Sequence, residues 1–283
     1  MQDVMHSLSE FDRRIAGRTR LLIASDFDGA LCPIANSPST TQVPLATAEL
    51  LQELTSFRQV TLALISGRSV DDLALRAPAP AILAGNNGLE IRGPGLDFQH
   101  PVAVRLRPEL ARARDRAVQA ISRFRGAWIE DKGLTVSVHY RGAARADESA
   151  IAIAVRRAMA GFGIALGLRS GQKCLDIHPR CGWSKGDALQ WIRRQLRAED
   201  ALCNCIGDDR TDEPMFFANQ GGINLRVGWA DRTAAGYYVT DSLQLAGVFA
   251  HLARALPRRL RVAAHAASTR ESAPISLVQA AVE

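Results

Sequence analysis

Two aspartates, Asp26 and Asp28, follow directly after a short apolar stretch and precede Gly29. Carboxylates this close repel one another unless a cation or a proton lies between them. Mg²⁺ suits such a pair, since it takes a few oxygen ligands and completes its shell with water and phosphate. The pattern therefore favours a magnesium site at these aspartates, although an Asp-Phe-Asp-Gly segment by itself also fits a polar turn.

A second polar segment, Ser66-Gly67-Arg68, follows another apolar run. Ser69 and Asp72 come directly after it in the spacing of a capping box, which predicts a helix start. A hydroxyl, a flexible glycine backbone and a helix N-terminus together suit a phosphate group. Ser-Gly turns are common, so the segment alone fits either a phosphate site or an ordinary turn.

The chain contains three lysines, Lys132, Lys173 and Lys185, and otherwise uses arginine as its cation. A lysine kept in such a sequence can serve where a compact ammonium group is needed, or can be retained by chance. Ser184 and Asp187 form a capping-box pattern that places Lys185 in the first turn of a helix. Its charge and the helix dipole would then act together on an anion, unless Lys185 is simply a solvated residue near a cap.

Four carboxylates crowd the six positions 208–213, just after the predicted strand 201–206: Asp208, Asp209, Asp212 and Glu213. Such density is costly through self-repulsion unless it organises a metal ion. A helix N-terminus also attracts acidic residues, and this explains Asp212 and Glu213 better than Asp208. The segment is therefore a second candidate for the metal site.

The elements that would carry these residues alternate between apolar runs and amphipathic segments. This order predicts a parallel, Rossmann-like sheet with helices on both faces, whose strands end at one ligand-binding edge. The predicted strands are 21–25, 60–65, 81–84, 201–206, 222–225 and 237–240. The predicted helices are 1–19, 45–57, the segment from Ser69, 184–197, 211–218 and 242–256.

The middle of the chain has a different order, with a helix, a strand pair, a second helix and a second strand pair. We interpret it as an α+β cap inserted into an α/β core. The core is expected at 20–100 and 180–257, the cap at 101–179, and a flexible tail at 258–283. The predicted cap helices are 108–124 and 147–160, and the cap strands are 127–130, 134–140, 164–168 and 173–178.

The composition is that of an ordinary globular protein: 283 residues, 47% hydrophobic and 23% charged. It excludes collagen, an intrinsically disordered chain and a disulfide-rich miniprotein. We find no run of apolar residues long enough for a membrane span, no signal-peptide pattern and an odd number of cysteines. We therefore expect a cytoplasmic protein, without a membrane or disulfides, that is a monomer.

The net charge of +6 is partly concentrated in two arginine clusters. They fit a solvated helix face better than a nucleic-acid site, because aromatic residues are not interleaved with them. We therefore expect no nucleic-acid partner. The clusters are Arg105, Arg107, Arg112, Arg114, Arg116, Arg123 and Arg125, and Arg254, Arg258, Arg259 and Arg261.

Taken in chain order, the signals Asp-x-Asp, Ser, Lys and Gly-Asp-Asp resemble those of the haloacid-dehalogenase-like phosphatases. The resemblance implies that Asp26 is a nucleophile that forms an aspartyl-phosphate and that Asp28 is the general acid and base. Ser66 and Lys185 would hold the phosphoryl oxygens. The metal ligands would be Asp26, the backbone carbonyl of Asp28 and Asp208, and Asp209 and Asp212 would support that site.

Within that superfamily, the sequence is similar to the trehalose-6-phosphate phosphatases over residues 20–255. The similarity is carried by Glu130-Asp-Lys-Gly, His139-Tyr-Arg, Gly171-Gln-Lys, Gly85-Asn-Asn-Gly and the Gly-Asp-Asp-Arg-Thr-Asp-Glu run. It implies Mg²⁺-dependent hydrolysis of trehalose 6-phosphate, with a cap that selects the sugar. The substrate-binding residues implied are Ser66, Gly67, Arg68, Asn87, Glu130, Lys132 and Asp176.

Four residues depart from the pattern usual in that family, namely Ala30, Asn87, Asp176 and His178. They replace threonine, histidine, glutamate and arginine respectively, near the expected site or in the cap. We expect an active enzyme, because the nucleophile, the acid, the lysine and the metal-site aspartates are all present. Two alternatives stay open: a phosphatase of sucrose phosphate, glucosylglycerol phosphate or mannosyl-phosphoglycerate, and a weakly active regulatory module that binds sugar phosphates.

Overall fold

The computed structural model describes residues 1–35 and 38–256. The predicted flexible tail at 258–283 lies outside the described residues, as do three of the clustered arginines. Within the described part of the chain, no helix combines the length and the apolar character needed to cross a bilayer.

Thirteen strands form two sheets in the described ranges. In chain order they are β1 (Gln2–Asp3), β2 (Leu21–Ser25), β3 (Val60–Ile65), β4 (Ile82–Gly85), β5 (Glu90–Gly93), β6 (Leu96–Gln99), β7 (Trp128–Asp131), β8 (Val136–His139), β9 (Leu166–Gly171), β10 (Cys174–Pro179), β11 (Leu202–Gly207), β12 (Ile223–Val227) and β13 (Tyr237–Val239).

Helices connect most of these strands. The α-helices are α1 (Leu8–Ile15), α2 (Leu45–Thr55), α3 (Val70–Arg76), α4 (Pro101–Arg105), α5 (Arg107–Ile121), α6 (Glu148–Ala158), α7 (Lys185–Gln195), α8 (Glu213–Ala218) and α9 (Ser242–Ala255). Short 3-10 helices cover Val4–His6, Pro38–Thr40, Asn86–Gly88, Arg145–Asp147 and Arg210–Asp212. The N-terminal segment, predicted as one helix, thus contains β1 and a 3-10 turn before α1.

The large sheet has the order β1-β13-β12-β11-β2-β3-β4-β5-β6. Pairing is parallel from β1 to β4, and β5 and β6 then extend the sheet antiparallel to β4. The predicted fold class, a parallel α/β core with an additional α+β unit, is confirmed. The strands β5 and β6 were not predicted, because they contain charged residues and lie beside Gly93-Pro94-Gly95, so that the segment has the composition of a turn.

The central strands of this sheet are covered on both faces, as their nearly continuous apolar sequences require. Alternate residues point to opposite sides. Leu21 and Ile23 belong to an apolar cluster that includes residues of α2 and α9. Leu22 belongs to a second cluster with residues of α7 and α8. The strands β2, β3, β4 and β11 therefore have fixed register, and their carboxyl ends meet at one edge.

The second sheet is antiparallel, with the order β7-β8-β10-β9. One face is apolar: Ile129, Val138 and Leu175 pack in a cluster with residues of α5 and α6. The other face carries polar and aromatic side chains. The predicted pairs of strands are thus joined into a single sheet, because β8 and β10 also pair with each other.

Polar contacts connect the second sheet to the first. The turn after β7 contacts the 3-10 turn at Asn86, whose Nδ2 donates to the carbonyl of Lys132 at 3.1 Å. Thr135 Oγ1 donates to Asn86 Oδ1 at 2.5 Å. Further along the chain, Arg141 Nη1 donates to the carbonyl of Ala35 at 3.0 Å. These contacts lie at two ends of a cleft between the sheets.

A glycine pair fixes the chain where it enters the second sheet. Gly126 has φ +82°, and a Cβ there would lie 2.1 Å from the carbonyl oxygen of Gly142. Gly133 has a similar φ of +79° but open space around it. The two positions therefore share the cost of a left-handed backbone and differ in the steric clash.

We expect Gly133→Ala to destabilise the protein by about 1–2 kcal/mol, the usual cost of a side chain in this backbone region. Gly126→Ala should cost about 3 kcal/mol or more, since it adds a clash with the backbone. Urea denaturation followed by circular dichroism measures both. Equal losses of stability in the two variants would contradict the role assigned to the close approach of Gly126 and Gly142.

Candidate active site

The carboxyl ends of β2 and β11 bring two aspartates together. Asp26 follows β2 and Asp208 follows β11, which pairs with β2 in parallel. Gly29 turns the loop after β2 with φ +82°, and a Cβ there would lie 2.1 Å from Asp208 Oδ2. A glycine is therefore required for the loop of Asp26 to approach Asp208.

Lys185, at the start of α7, is buried between two carboxylates. Its Nζ lies 2.9 Å from Asp26 Oδ1 and 2.7 Å from Asp212 Oδ1, and its side chain is 1% exposed. Burial alone would lower the pKa of Lys185, but Asp212 and Asp26 outweigh it and raise the pKa. The lysine is therefore held as a fixed ammonium ion, which excludes the solvated position that its sequence also allowed.

The capping box predicted for this helix is present. Ser184 accepts from the backbone of Asp187, and the Asp187 side chain accepts from the backbone of Ser184. The cap fixes the first turn of α7, so that the long side chain of Lys185 reaches under the strand ends.

Asp212 organises the acidic loop after β11. It is completely buried, and its Oδ2 accepts from the backbone amides of Asp208 and Asp209, both at 3.0 Å. Asp209 in turn caps the 3-10 helix by accepting from its own following residue, Arg210. The side chain of Asp212 is therefore committed to holding the loop and the lysine.

Arg226 on β12 contacts the same loop from the other side. Its Nη2 donates to the carbonyl of Asp208, and its Nη1 lies 3.4 Å from both the carbonyl of Asp209 and Glu213 Oε1. This arginine was not among the sequence candidates. A cation opposite four crowded carboxylates offsets their repulsion.

Carboxylate oxygens of Asp26, Asp208 and Asp212 lie within 4.8 Å of one another. Burial, followed by the charge of Asp212, raises the pKa of Asp208 to about 7. Burial likewise raises the pKa of Asp26, despite the opposing charge of Lys185. A divalent cation would offset the repulsion among carboxylates held this close, so the cluster fits a hard cation such as Mg²⁺.

Asp28 points to a different partner. Arg68 binds it in a two-pronged ion pair, with Nε and Nη2 each 2.6 Å from one carboxylate oxygen. Arg68 Nη1 lies 2.5 Å from Asp72, and Nη2 also donates to the carbonyl of Pro38. The guanidinium is thus largely committed within the protein, although it lines the cleft. Asp72 holds Arg68 rather than completing the predicted capping box.

Ser66 and Asn87 lie beside each other at the ends of β3 and β4. Ser66 is buried, and its carbonyl accepts from the backbone amide of Asn87 at 2.8 Å. Asn86 and Asn87 both have positive φ, at 52° and 59°. Ser66, Gly67 and Asn87 line the cleft, so the structure places these three sequence candidates along one wall.

The polar face of the second sheet forms the opposite wall. Glu130 Oε2 lies 2.7 Å from His139 Nε2 and 3.7 Å from Lys132 Nζ. Burial alone would raise the pKa of Glu130, but the contacts with His139 and Lys132 outweigh it and lower the pKa. Asp176 accepts from the hydroxyl of Ser137, and Lys132 Nζ donates to the carbonyl of Gly67 at 3.1 Å.

Together these residues enclose a cleft of about 380 Å³ between the two sheets. All of the sequence-predicted site residues line it except Asp212, which lies buried beneath it. Sequence analysis missed several lining residues. A period of two along one strand places Trp128 on the face of Glu130 and Cys174 on the face of Asp176. The others follow only from the strand register or the packing, among them His139, Arg169, Ile34 and Arg141.

A parallel core with acidic strand ends and an inserted four-stranded unit defines the class of haloacid-dehalogenase-like proteins. The trehalose-phosphatase family profile matches residues 24–230. The chain belongs to this family.

Two relatives illustrate the sequence similarity. The trehalose-phosphate phosphatase of Mycobacterium avium is 32% identical over 261 residues, covering 88% of this chain and 66% of that protein. A Mycobacterium tuberculosis protein named an uncharacterized glycosyl hydrolase is 35% identical over 225 residues, covering 76% of this chain and 16% of that protein. The chain thus spans less than two thirds of the length of either relative.

Two solved structures share the fold. The C-terminal domain of Candida albicans trehalose-6-phosphate phosphatase superposes with a TM-score of 0.73 and 18% identity, covering 87% of this chain and 96% of that chain. The C-terminal domain of the Candida albicans trehalose synthase regulatory protein gives 0.68 and 12%, covering 86% and 97%. Both therefore support the architecture described above.

We expect the affinity for Mg²⁺ to fall as the pH decreases below about 7. The raised pKa of Asp208 means that a cation must displace a proton there at lower pH. Isothermal titration calorimetry between about pH 8 and pH 6 should show up to a tenfold loss per unit below the pKa. Asp208→Asn, which lacks the titrating group, should bind weakly at every pH. A wild-type affinity independent of pH would contradict this assignment.

Proposed function

We propose that this chain hydrolyses trehalose 6-phosphate to trehalose and phosphate, a step of trehalose biosynthesis, with Mg²⁺ and through an aspartyl-phosphate on Asp26. The observation that carries the proposal is the meeting of Asp26, Lys185 and Asp208 at one end of a cleft. These residues are far apart in the sequence, and their assembly offers a nucleophile, a fixed cation and metal-binding oxygens. Family membership supports the choice of reaction.

In the proposed first step, a carboxylate oxygen of Asp26 attacks phosphorus, and the bond from phosphorus to the sugar oxygen breaks. Asp28 gives its proton to that oxygen, and trehalose is the leaving group. Asp28 then takes a proton from water, whose oxygen attacks phosphorus and displaces Asp26. Covalent catalysis of this kind divides one difficult hydrolysis into two easier steps.

Positive charge must offset the repulsion between a phosphate dianion and the carboxylate of Asp26. Lys185 lies 2.9 Å from Asp26 and would face the phosphoryl oxygens, together with the hydroxyl of Ser66. We assign the metal ligands to Asp26, the carbonyl of Asp28 and Asp208, with Asp209 and Asp212 supporting them. Bound Mg²⁺ would supply charge where negative charge gathers in the transition state.

Arg68 places a condition on this mechanism. Its two-pronged ion pair occupies both carboxylate oxygens of Asp28, whereas the first step needs Asp28 free to give a proton to the leaving oxygen. We propose that an arriving phosphate competes for Arg68 and releases Asp28. Arg68 would then bind substrate, as the sequence resemblance implies, after leaving the partner that it has in the described arrangement.

The wall formed by the second sheet would bind the sugar. Glu130, Lys132 and Asp176 offer carboxylates and an ammonium group, which form charge-assisted hydrogen bonds with hydroxyls. We propose residues 20–100 and 180–257 as the catalytic core and 101–179 as the cap. A monomeric state and a cytoplasmic location stay predictions.

We expect Asp26→Asn to lower phosphate release from trehalose 6-phosphate by roughly 10³-fold or more, because the amide cannot act as the nucleophile. EDTA should abolish wild-type release, and added Mg²⁺ should restore it. A coupled assay for inorganic phosphate measures these effects.

Asp71→Asn is the matched control, because Asp71 is an exposed aspartate that pairs with Arg92 on the surface. It should retain wild-type activity. Full activity of Asp26→Asn would end the covalent mechanism, and full activity in EDTA would end the metal requirement.

A second candidate, a phosphatase of another sugar phosphate, is favoured by Asp176. Its carboxylate is already bonded to Ser137 and lies 3.5 Å from Cys174 Sγ, so it has less freedom to meet a sugar. A panel of trehalose 6-phosphate, sucrose phosphate, glucosylglycerol phosphate and mannosyl-phosphoglycerate separates the candidates. We expect the highest kcat/KM with trehalose 6-phosphate, and a higher value for another ester would replace the proposal.

A regulatory module is the remaining alternative from the sequence. Tight binding of trehalose 6-phosphate without turnover in Mg²⁺ would favour it over an enzyme.

A further inference from the structure

Trp128 is a large aromatic side chain exposed in the cleft. It is 45% exposed and lines the same space as Asp26 and Lys185. Its indole stacks on the imidazole of His139, with ring centroids 4.3 Å apart and planes inclined by 19°. Trp128 is thus supported by an aromatic neighbour while much of its surface remains open to a ligand.

The strand register places Trp128 in an ordered position on the cap wall. Trp128 pairs with His139, and Glu130 pairs with Ser137. A two-residue step along a strand is about 6.8 Å, close to the width of a pyranose ring. A row that begins with the two aromatic rings therefore borders a polar row across the sheet. The first row is Trp128, His139, Cys174 and Gly171, and the polar row is Glu130, Ser137, Asp176 and Arg169.

The imidazole of His139 supports one face of the indole. His139 is 15% exposed at its side chain, and its Nε2 contacts Glu130 Oε2 at 2.7 Å. The imidazole is therefore held by one polar neighbour and covers one side of the indole. A preorganised aromatic surface loses little conformational entropy when it binds a ligand.

Position along β7 indicates which part of a substrate would meet Trp128. Lys132, just beyond the strand, contacts the carbonyl of Gly67 in the proposed phosphate-binding segment. Glu130 lies two residues back along the chain, and Trp128 lies two residues further back. Trp128 is therefore the most distant of the three from the point where the cap wall contacts the phosphate-binding segment.

A pyranose ring has polar edges and an apolar face of C–H groups. Such a face packs well on an aromatic ring, whose negative π surface attracts the weakly positive hydrogens, while hydroxyls on the edge reach polar groups nearby. We infer that Trp128 is a stacking surface for the sugar ring that does not carry the phosphate, with Glu130 and Asp176 beside it as acceptors. The inference rests on the proposed function, because it requires a disaccharide phosphate.

The test compares two substrates that share the phosphorylated ring. Glucose 6-phosphate lacks the second ring of trehalose 6-phosphate. We expect Trp128→Ala to lower kcat/KM about tenfold for trehalose 6-phosphate, mainly through KM, and to leave that for glucose 6-phosphate within about twofold. Trp128→Phe, which keeps an aromatic face, should recover most of the loss.

Trp229→Ala is the matched control. Trp229 is also exposed, at 62%, but it contacts Tyr238 and Asp231 away from the residues that line the cleft. Trp229→Ala should leave kcat/KM unchanged for both substrates. Thermal unfolding of each variant shows whether the fold is retained.

Calorimetry provides a readout that does not depend on catalysis. Trehalose, the product without phosphate, should bind Asp26→Asn about tenfold more tightly than it binds Asp26→Asn combined with Trp128→Ala. This comparison measures the sugar contact alone.

The outcomes separate the inference from the function on which it rests. If Trp128→Ala lowers kcat/KM equally for both substrates, lowers it for neither, or is not rescued by Trp128→Phe, the stacking role is wrong. Turnover of trehalose 6-phosphate by the wild-type protein would still support the proposed function. If the wild-type protein prefers glucose 6-phosphate to trehalose 6-phosphate, the proposed function fails, and the inference fails with it.

Discussion

The arrangement of the site depends on the buried ion pairs of Lys185. One ammonium group meets Asp26 from β2 and Asp212 from the loop after β11, and it is almost inaccessible to solvent. Removing either type of charge would leave the other buried without compensation, which is strongly unfavourable. The same contacts connect α7 to the ends of β2 and β11. The position of Asp26, the proposed nucleophile, therefore depends on buried ion pairs in which an unpaired charge would be costly.

Sequence was most informative where chemistry and fold require the same residue. Asp26, Ser66, Lys185 and Asp208 all follow or cap recognisable elements, so their meeting could be expected from parallel strands alone. The ion pair between Arg68 and Asp28 could not be expected from the sequence. Both residues were assigned to ligands, and their positions in the chain do not show that they bind each other. Side-chain partners are chosen by tertiary packing, which a single sequence does not display.

The predicted strands also differ in how well the sequence indicates them. Long apolar runs gave β2, β3 and β11 with nearly correct bounds, because buried parallel strands have a strong signal. The strands β5 and β6 lack such a run, because charged residues and the turn Gly93-Pro94-Gly95 interrupt the segment. Trp128 was missed for a different reason. Alternation along its strand places it on the face of Glu130, but alternation does not show how far along that face the cleft extends.

The cleft is bordered by contacts at both ends, from Lys132 to Gly67 and from Arg141 to Ala35. Under the proposed function, the sugar would lie between the sheets, and these two contacts hold the walls of that space at a set separation. Opening either contact would let the walls move apart. Changes in these peripheral contacts would therefore act on entry and release of the sugar rather than on the bond-breaking steps.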